Sequence, residues 1–162
     1  MAIDPYATCP CGSGKKIKFC CSHLQGELGQ LAEMMGGQQY QAALRFIEGA
    51  ETKMPPQPCF MAIKAQLLRA LRRVDEAKAV VAAFLGLAPN NPIALAEAAI
   101  HAVLDGDVPG AVDRLQQALA ASSTQLYNHV YEAMSVVAHG LFEIGAIRAG
   151  RAVLQLQANA AE

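Results

Sequence analysis

The chain has no run of about 18 uncharged apolar residues, so nothing in it reads as a membrane span. It also lacks an excess of charge of either sign. Its formal net charge of −1 speaks against a generic nucleic-acid binder. Strand-like alternation and β-branched runs are scarce, whereas alanine is abundant and 53% of the 162 residues are apolar. The body therefore reads as helical and large enough for one substantial domain. Residues 1–20 show neither the apolar run nor the small-residue cleavage site of a secretory signal, so the expectation is a cytoplasmic chain with reduced thiols. No His-Glu-x-x-His, no acids paired at catalytic spacing and no nucleotide loop are present, and no enzyme activity is expected within this chain.

What the chain does have is cysteine in one place. Four of its five cysteines fall in residues 9–21, as Cys9-Pro10-Cys11 and Cys20-Cys21. A structural zinc ion takes four soft ligands in a tetrahedron, and these commonly arrive as two close pairs joined by a turn. Cys9, Cys11, Cys20 and Cys21 are thus the expected ligands. Gly12 and Gly14 allow the chain to wrap tightly around such a site. Lys15, Lys16 and Lys18 offset the formal charge that four thiolates leave on zinc, and they form a possible docking patch for a partner. The adjacent pair Cys20-Cys21 requires a tight turn or the first turn of a short helix.

Rival readings fare less well. A disulfide pairing needs an oxidising compartment. Gly12-Ser13-Gly14-Lys15 resembles part of a phosphate loop, but Lys16 stands where a Ser or Thr is needed and no apolar strand precedes it. An iron–sulfur centre is compatible with ligand type alone. His23 reads as a solvent-facing histidine rather than as the fourth ligand.

Residues 9–21 resemble the SEC-C zinc motif, a Cys-Pro-Cys-Gly-Ser-Gly-Lys-Lys element known from the tail of the bacterial preprotein translocase motor and from many other bacterial proteins. The matching residues are Cys9, Pro10, Cys11, Gly12, Ser13, Gly14, Lys15, Lys16, Cys20 and Cys21. The resemblance implies Zn²⁺ binding with Cys21 as fourth ligand and, in the translocase, contact with a chaperone and the ribosome.

The rest of the chain is repetitive. Ala43, Ala77 and Ala111 lie 34 residues apart, as do Ala65 and Ala99, and Pro55 and Pro89. Thirty-four is the tetratricopeptide period. Asn91-Pro92 reads as a cap followed by a proline at the first helical position, and Asp75 and Asp107 read as caps of second helices. Helices are expected at about 26–36, 39–52, 58–71, 75–87, 93–105, 109–121, 125–139 and 143–158. In the last unit Gly145 takes the place of the recurrent alanine. The expected architecture is all-α: a zinc knuckle over residues 1–24, then tetratricopeptide-like hairpins over 25–158.

The resemblance to tetratricopeptide proteins implies a superhelix whose first helices line a concave groove. By the family's positions, Ile63, Arg69, Ile100, Tyr131 and Met134 are candidates for peptide binding. Their apolar character suits an amphipathic helix or hydrophobic segment. Cys59, just past Pro55-Pro56-Gln57-Pro58, is expected at a helix start, where a thiol is acidified. No histidine is designated as its base, so it reads as a passive buried thiol. The leading functional expectation is a protein–protein interaction module that binds a peptide or protein. The alternative is a docking or regulatory domain of a larger enzyme. A ribosomal or other nucleic-acid contact through the lysines and self-association are lesser possibilities.

Overall fold

The computed structural model of the protein describes residues 3–122 and 126–160. Among these there are eight α-helices: α1 (Gln25–Gly36), α2 (Tyr40–Glu51), α3 (Pro58–Ala70), α4 (Val74–Leu87), α5 (Pro92–Leu104), α6 (Val108–Ala121), α7 (Asn128–Glu143) and α8 (Ile147–Asn159). Consecutive helices pack in pairs, giving an all-helical repeat fold. Contacts group the chain into two units, Met1–Phe84 and Leu85–Glu162.

The repeat is written into the turns. Each hairpin α1–α2, α3–α4 and α5–α6 closes on a residue with positive φ: Gln38 (56°), Arg72 (61°) and Gly106 (80°). These three stand at the same 34-residue interval as the alanines. The bonding is that of a Schellman stop: in α5–α6 the Gly106 amide donates to the Val103 carbonyl at 2.9 Å and the Asp107 amide to that of Ala102 at 2.9 Å. The equivalent pair in α3–α4 is Arg72 to Arg69 at 3.0 Å and Arg73 to Leu68 at 2.8 Å. Asp107 then caps α6 through the Gly110 amide at 3.0 Å. Asn91 caps α5 through the amides of Ile93 and Ala94, at 3.0 and 3.2 Å. Asp75, expected as a cap, lies instead in the first turn of α4. There its charge complements the helix dipole.

The recurrent small residues sit where helices cross. Ala43, Ala77, Ala111, Ala65, Ala99 and Ala133 are all fully buried. The first six helices begin and end within one residue of expectation. The last two do not, because α7 runs to Glu143 and displaces its stop to Gly145 (φ 80°). That stop comes 39 residues after Gly106, five more than the repeat. Gly145 is therefore a turn residue and no counterpart of the helical alanines. The close-approach residue of α8 is Gly150, where a Cβ would meet the Phe142 ring at 2.5 Å and the Ala138 carbonyl at 3.0 Å. Residue 125, the expected start of the seventh helix, and residues 1 and 2 of the expected knuckle lie outside the described residues.

Within the first unit, residues 3–24 fold as a small loop on the helices. Thr8 and Lys16 form an antiparallel bridge, the Cys9 amide donates to the Lys15 carbonyl at 2.8 Å and the Ile17 amide to that of Ala7 at 3.0 Å. Gly12 (φ 81°) and Gly14 (φ 74°) make the turn between them. Two 3-10 turns, Ile17–Phe19 and Ser22–Leu24, lead into α1. Ile17 and Leu24 join Leu28 and Leu31 of α1, Leu44 and Ile47 of α2, and Phe60, Ile63, Leu67 and Leu68 of α3 in one core.

In the second unit α5 packs on α6 and α7, and α7 packs on α8. Glu97, fully buried on α5, accepts a 2.7 Å contact from Nδ1 of His129 on α7.

The positive-φ turns predict opposite responses to glycine and alanine. Gly106→Ala should lower stability by about 1 kcal/mol, since a Cβ disfavours the left-handed conformation by more than the loss of glycine freedom returns. Arg72→Gly should raise it by about 0.5 kcal/mol for the converse reason. Urea midpoints at constant slope measure both. A destabilised Arg72→Gly variant would show that the arginine side chain, rather than the backbone, holds its turn.

Candidate metal centre

The loop delivers Cys9, Cys11 and Cys21 to the first turn of α3, where Cys59 follows Pro58. All four are buried, and their Sγ atoms lie within 4.8 Å of one another. Cys59 Sγ stands 3.6 Å from that of Cys9 and 2.8 Å from that of Cys21. Thiolates about 2.3 Å from a tetrahedral ion are about 3.8 Å apart, so the cluster has the size and the soft donors a metal ion requires. Four sulfurs complete such a shell.

This set differs from the expected one at a single position. Cys59 is a member instead of a passive thiol. Cys20 lies at the half-buried rim, its Sγ 3.4 Å from that of Cys11, 3.8 Å from that of Cys21 and 3.2 Å from Ser13 Oγ. The reason is local. Cys20 (φ −133°, ψ −78°) ends one 3-10 turn and Cys21 (φ −106°, ψ 39°) precedes the next. Neighbouring side chains leave such a corner in different directions, and only Cys21 turns in toward α3. His23 is exposed and contacts the Gln57 carboxamide at 3.3 Å, apart from the thiols.

The protons of the metal-free cluster are unevenly held. Cys11 is held well below the usual thiol range, first by hydrogen bonds from the Cys59 and Cys9 thiols, with Ser13 and Cys20 adding to them. Cys9 is pushed up to about 11, chiefly by its bond to Cys11, although the Cys59 thiol and the Cys11 amide oppose this. Burial pushes Cys21 up. Cys59 is pushed up by its bonds to Cys11 and Cys9 and by burial. The shifts thus run in opposite directions, down at Cys11, which accepts from Cys59 and Cys9, and up at Cys9, Cys21 and Cys59.

Lys15, Lys16 and Lys18 are all exposed. Lys18 Nζ donates to the Tyr6 hydroxyl at 2.8 Å and lies 4.9 Å above the Tyr6 ring and 5.8 Å from that of Phe19. Their outward direction leaves them available to solvent or a partner.

The candidate peptide-binding residues do not form an open face. Ile63 belongs to the core around the thiols. Ile100 and Met134 are buried in the second unit, at 2% and 0% exposure. Tyr131 is half-buried and donates to the Ala160 carbonyl at 2.5 Å, while Gln157 of α8 donates to the Tyr131 carbonyl and to Ser135 Oγ at 2.8 and 2.7 Å. Helix α8 therefore contacts α7 at Tyr131 and Ser135. Arg69 is half-buried on α3. Open concave surface is found elsewhere. A cleft of about 520 Å³ in the second unit is lined by Val103, Leu104, Val136 and Gly140 with His139 and Glu143, and one of about 390 Å³ in the first includes Met61, Val80 and Lys64. Lys64 is paired there with Glu51 at 2.6 Å.

Comparison of the chain with protein-family models, with curated proteins and with solved structures gave no match.

At neutral pH, metal loading should release about three protons per ion, those of Cys9, Cys21 and Cys59, because a thiol must ionise to bind. Affinity should then rise about a thousandfold per pH unit near pH 7 and fall by as much on acidification. A pH-stat titration of the metal-free protein measures this. Release of four would place a proton on Cys11 as well.

Proposed function

We propose that the chain is a zinc-clasped protein-interaction module, in which a SEC-C-like knuckle is fixed to tetratricopeptide-like hairpins. The observation that carries this reading is the closed set of four buried thiols. Four cysteines are the donor set of structural zinc, whereas catalytic zinc keeps a position for water or substrate. Here the ion ties residues 9–21 to α3 and helps hold the first unit's core in place. The remaining surfaces suit recognition. Leu104, 56% exposed, stands at the mouth of an apolar cleft with a histidine and a glutamate at its edge, a chemistry that fits one side of an amphipathic segment. Lys15, Lys16 and Lys18 supply a second, electrostatic contact.

Protein purified without added metal should contain about one zinc per chain. Chelation should abolish amide-exchange protection in the knuckle and at the start of α3 while leaving helices α5–α8 protected. Iron–sulfur absorbance in place of zinc, or global loss of helicity on chelation, would overturn the reading.

For recognition, Val136→Glu and Leu104→Glu should each weaken an amphipathic peptide selected against the purified protein by more than about tenfold, with far-UV circular dichroism unchanged, because desolvated apolar anchors carry most such affinity. Neutralising the three lysines should lower affinity in a salt-dependent way at constant zinc content. Affinity unmoved by all these changes would rule out both surfaces.

A further inference from the structure

Five thiols surround a site that needs four. The four buried ones include Cys59, which comes from α3, while Cys20 stands at the rim against Cys11 and Cys21, at 3.4 and 3.8 Å. Cys20 is also the cluster's most exposed thiol, the one half-buried cysteine among four buried ones. Two complete four-sulfur sets can therefore be drawn. One is local, Cys9, Cys11, Cys20 and Cys21, and needs nothing outside residues 9–21. The other replaces Cys20 with Cys59 and needs the loop to lie on α3.

We propose that Cys20 is an exchange ligand: the ion enters and leaves through the local set at the rim, and Cys59 displaces Cys20 when the knuckle seats on α3. The exchange is ligand substitution without redox change. One metal–sulfur bond forms at Cys59 as the one at Cys20 breaks, and the proton leaving Cys59 goes to Cys20 or to solvent. Three sulfurs, those of Cys9, Cys11 and Cys21, are common to both sets, so the ion never loses more than one ligand at a time. Cys20 is suited to the outer role because its thiol reaches solvent and Ser13 Oγ lies 3.2 Å away to receive it when displaced. Cys59 is suited to the inner role because it is fully buried at the N-terminus of α3, with its Sγ 3.6 Å from that of Cys9 and 2.8 Å from that of Cys21. Seating of the knuckle and choice of the fourth ligand become one event.

This inference rests on the metal reading of the cluster, and its test is arranged so that the two fail separately. Zinc affinity is measured by chelator competition for the full chain and for Cys20→Ala, Cys59→Ala, Cys59→Ser and the double variant Cys20→Ala/Cys59→Ala. The absence of tight zinc from the unaltered chain would overturn the metal reading itself. Given tight binding, each single variant should keep about one zinc per chain, and the double variant should bind at least about a hundredfold more weakly, since it alone lacks a fourth sulfur. Cobalt-substituted Cys20→Ala and Cys59→Ala should both give the absorption of a four-sulfur site. Removal of zinc by excess chelator should be at least about tenfold slower from Cys20→Ala than from the unaltered chain, because the outward route is gone. If Cys59→Ala and Cys59→Ser bind as weakly as the double variant, Cys59 is a fixed ligand and exchange does not occur. If Cys20→Ala binds as weakly as the double variant, or releases zinc at the unaltered rate, Cys20 has no exchange role. Amide exchange on zinc-loaded Cys59→Ala reads the folded state directly: the proposal requires a metal-filled knuckle with lost protection at the start of α3.

Discussion

Contact among the sulfurs of Cys9, Cys11, Cys21 and Cys59 is the interaction on which the first unit depends. Residues 3–24 contribute few large apolar side chains to the core, chiefly Ile17 and Leu24, and a loop of this size does not repay its own ordering entropy from so little buried area. Without a metal, the cluster brings four sulfurs into low dielectric, where each costs free energy unless its hydrogen bonds are met. Four metal–sulfur bonds would make the same atoms the strongest link between loop and helix. The same core joins Ile63, Leu67 and Leu68 of α3 to Leu28 and Leu31 of α1 and Leu44 and Ile47 of α2.

The second unit stands on a different principle. Its core is built from alanine and branched aliphatic side chains on α5 and α7, and it includes the buried Glu97, bonded to His129 at 2.7 Å, and His101. Small residues let helix axes approach closely, and at Gly140 the approach is close enough that a Cβ would meet Val103 at 3.0 Å. The chain thus combines a first unit built around four buried thiols with a second held by apolar packing. The two should respond differently to chelators and to denaturants.

Most of the helical fold was legible because it repeats. Alanines spaced by 34 residues mark helix crossings, and each is buried. The reading went astray where α7 gains five residues, since nothing local announces it: Gly145 falls on an alanine position by count and on a turn by structure. Of the four clustered thiols, Cys9, Cys11 and Cys21 were legible as candidate ligands and Cys59 was not. Cys20-Cys21 offers two adjacent thiols, and linear spacing cannot say which one turns inward at a corner. Cys59 lies 38 residues past Cys21, so its membership depends on how α3 crosses the knuckle, a tertiary fact. One signal was present, for the fifth cysteine sits at a helix start in a body otherwise without thiols. Ile100 and Met134, read as groove candidates, are buried, since an apolar side chain on a first helix looks the same in sequence whether it faces a ligand or a neighbouring helix.

The separation of 38 residues between Cys21 and Cys59 also orders events in time. A ribosome adds about 5–20 residues per second, so Cys59 is made roughly two to eight seconds after Cys21. In that interval a nascent chain presents Cys9, Cys11, Cys20 and Cys21 but not the thiol of α3. Metal capture by the local four sulfurs can precede the first helical hairpin, and a loaded knuckle would then act as a template on which α3 seats as it emerges. If the thiols hold a metal, Cys20 would let the growing chain bind the ion before Cys59 has been synthesised.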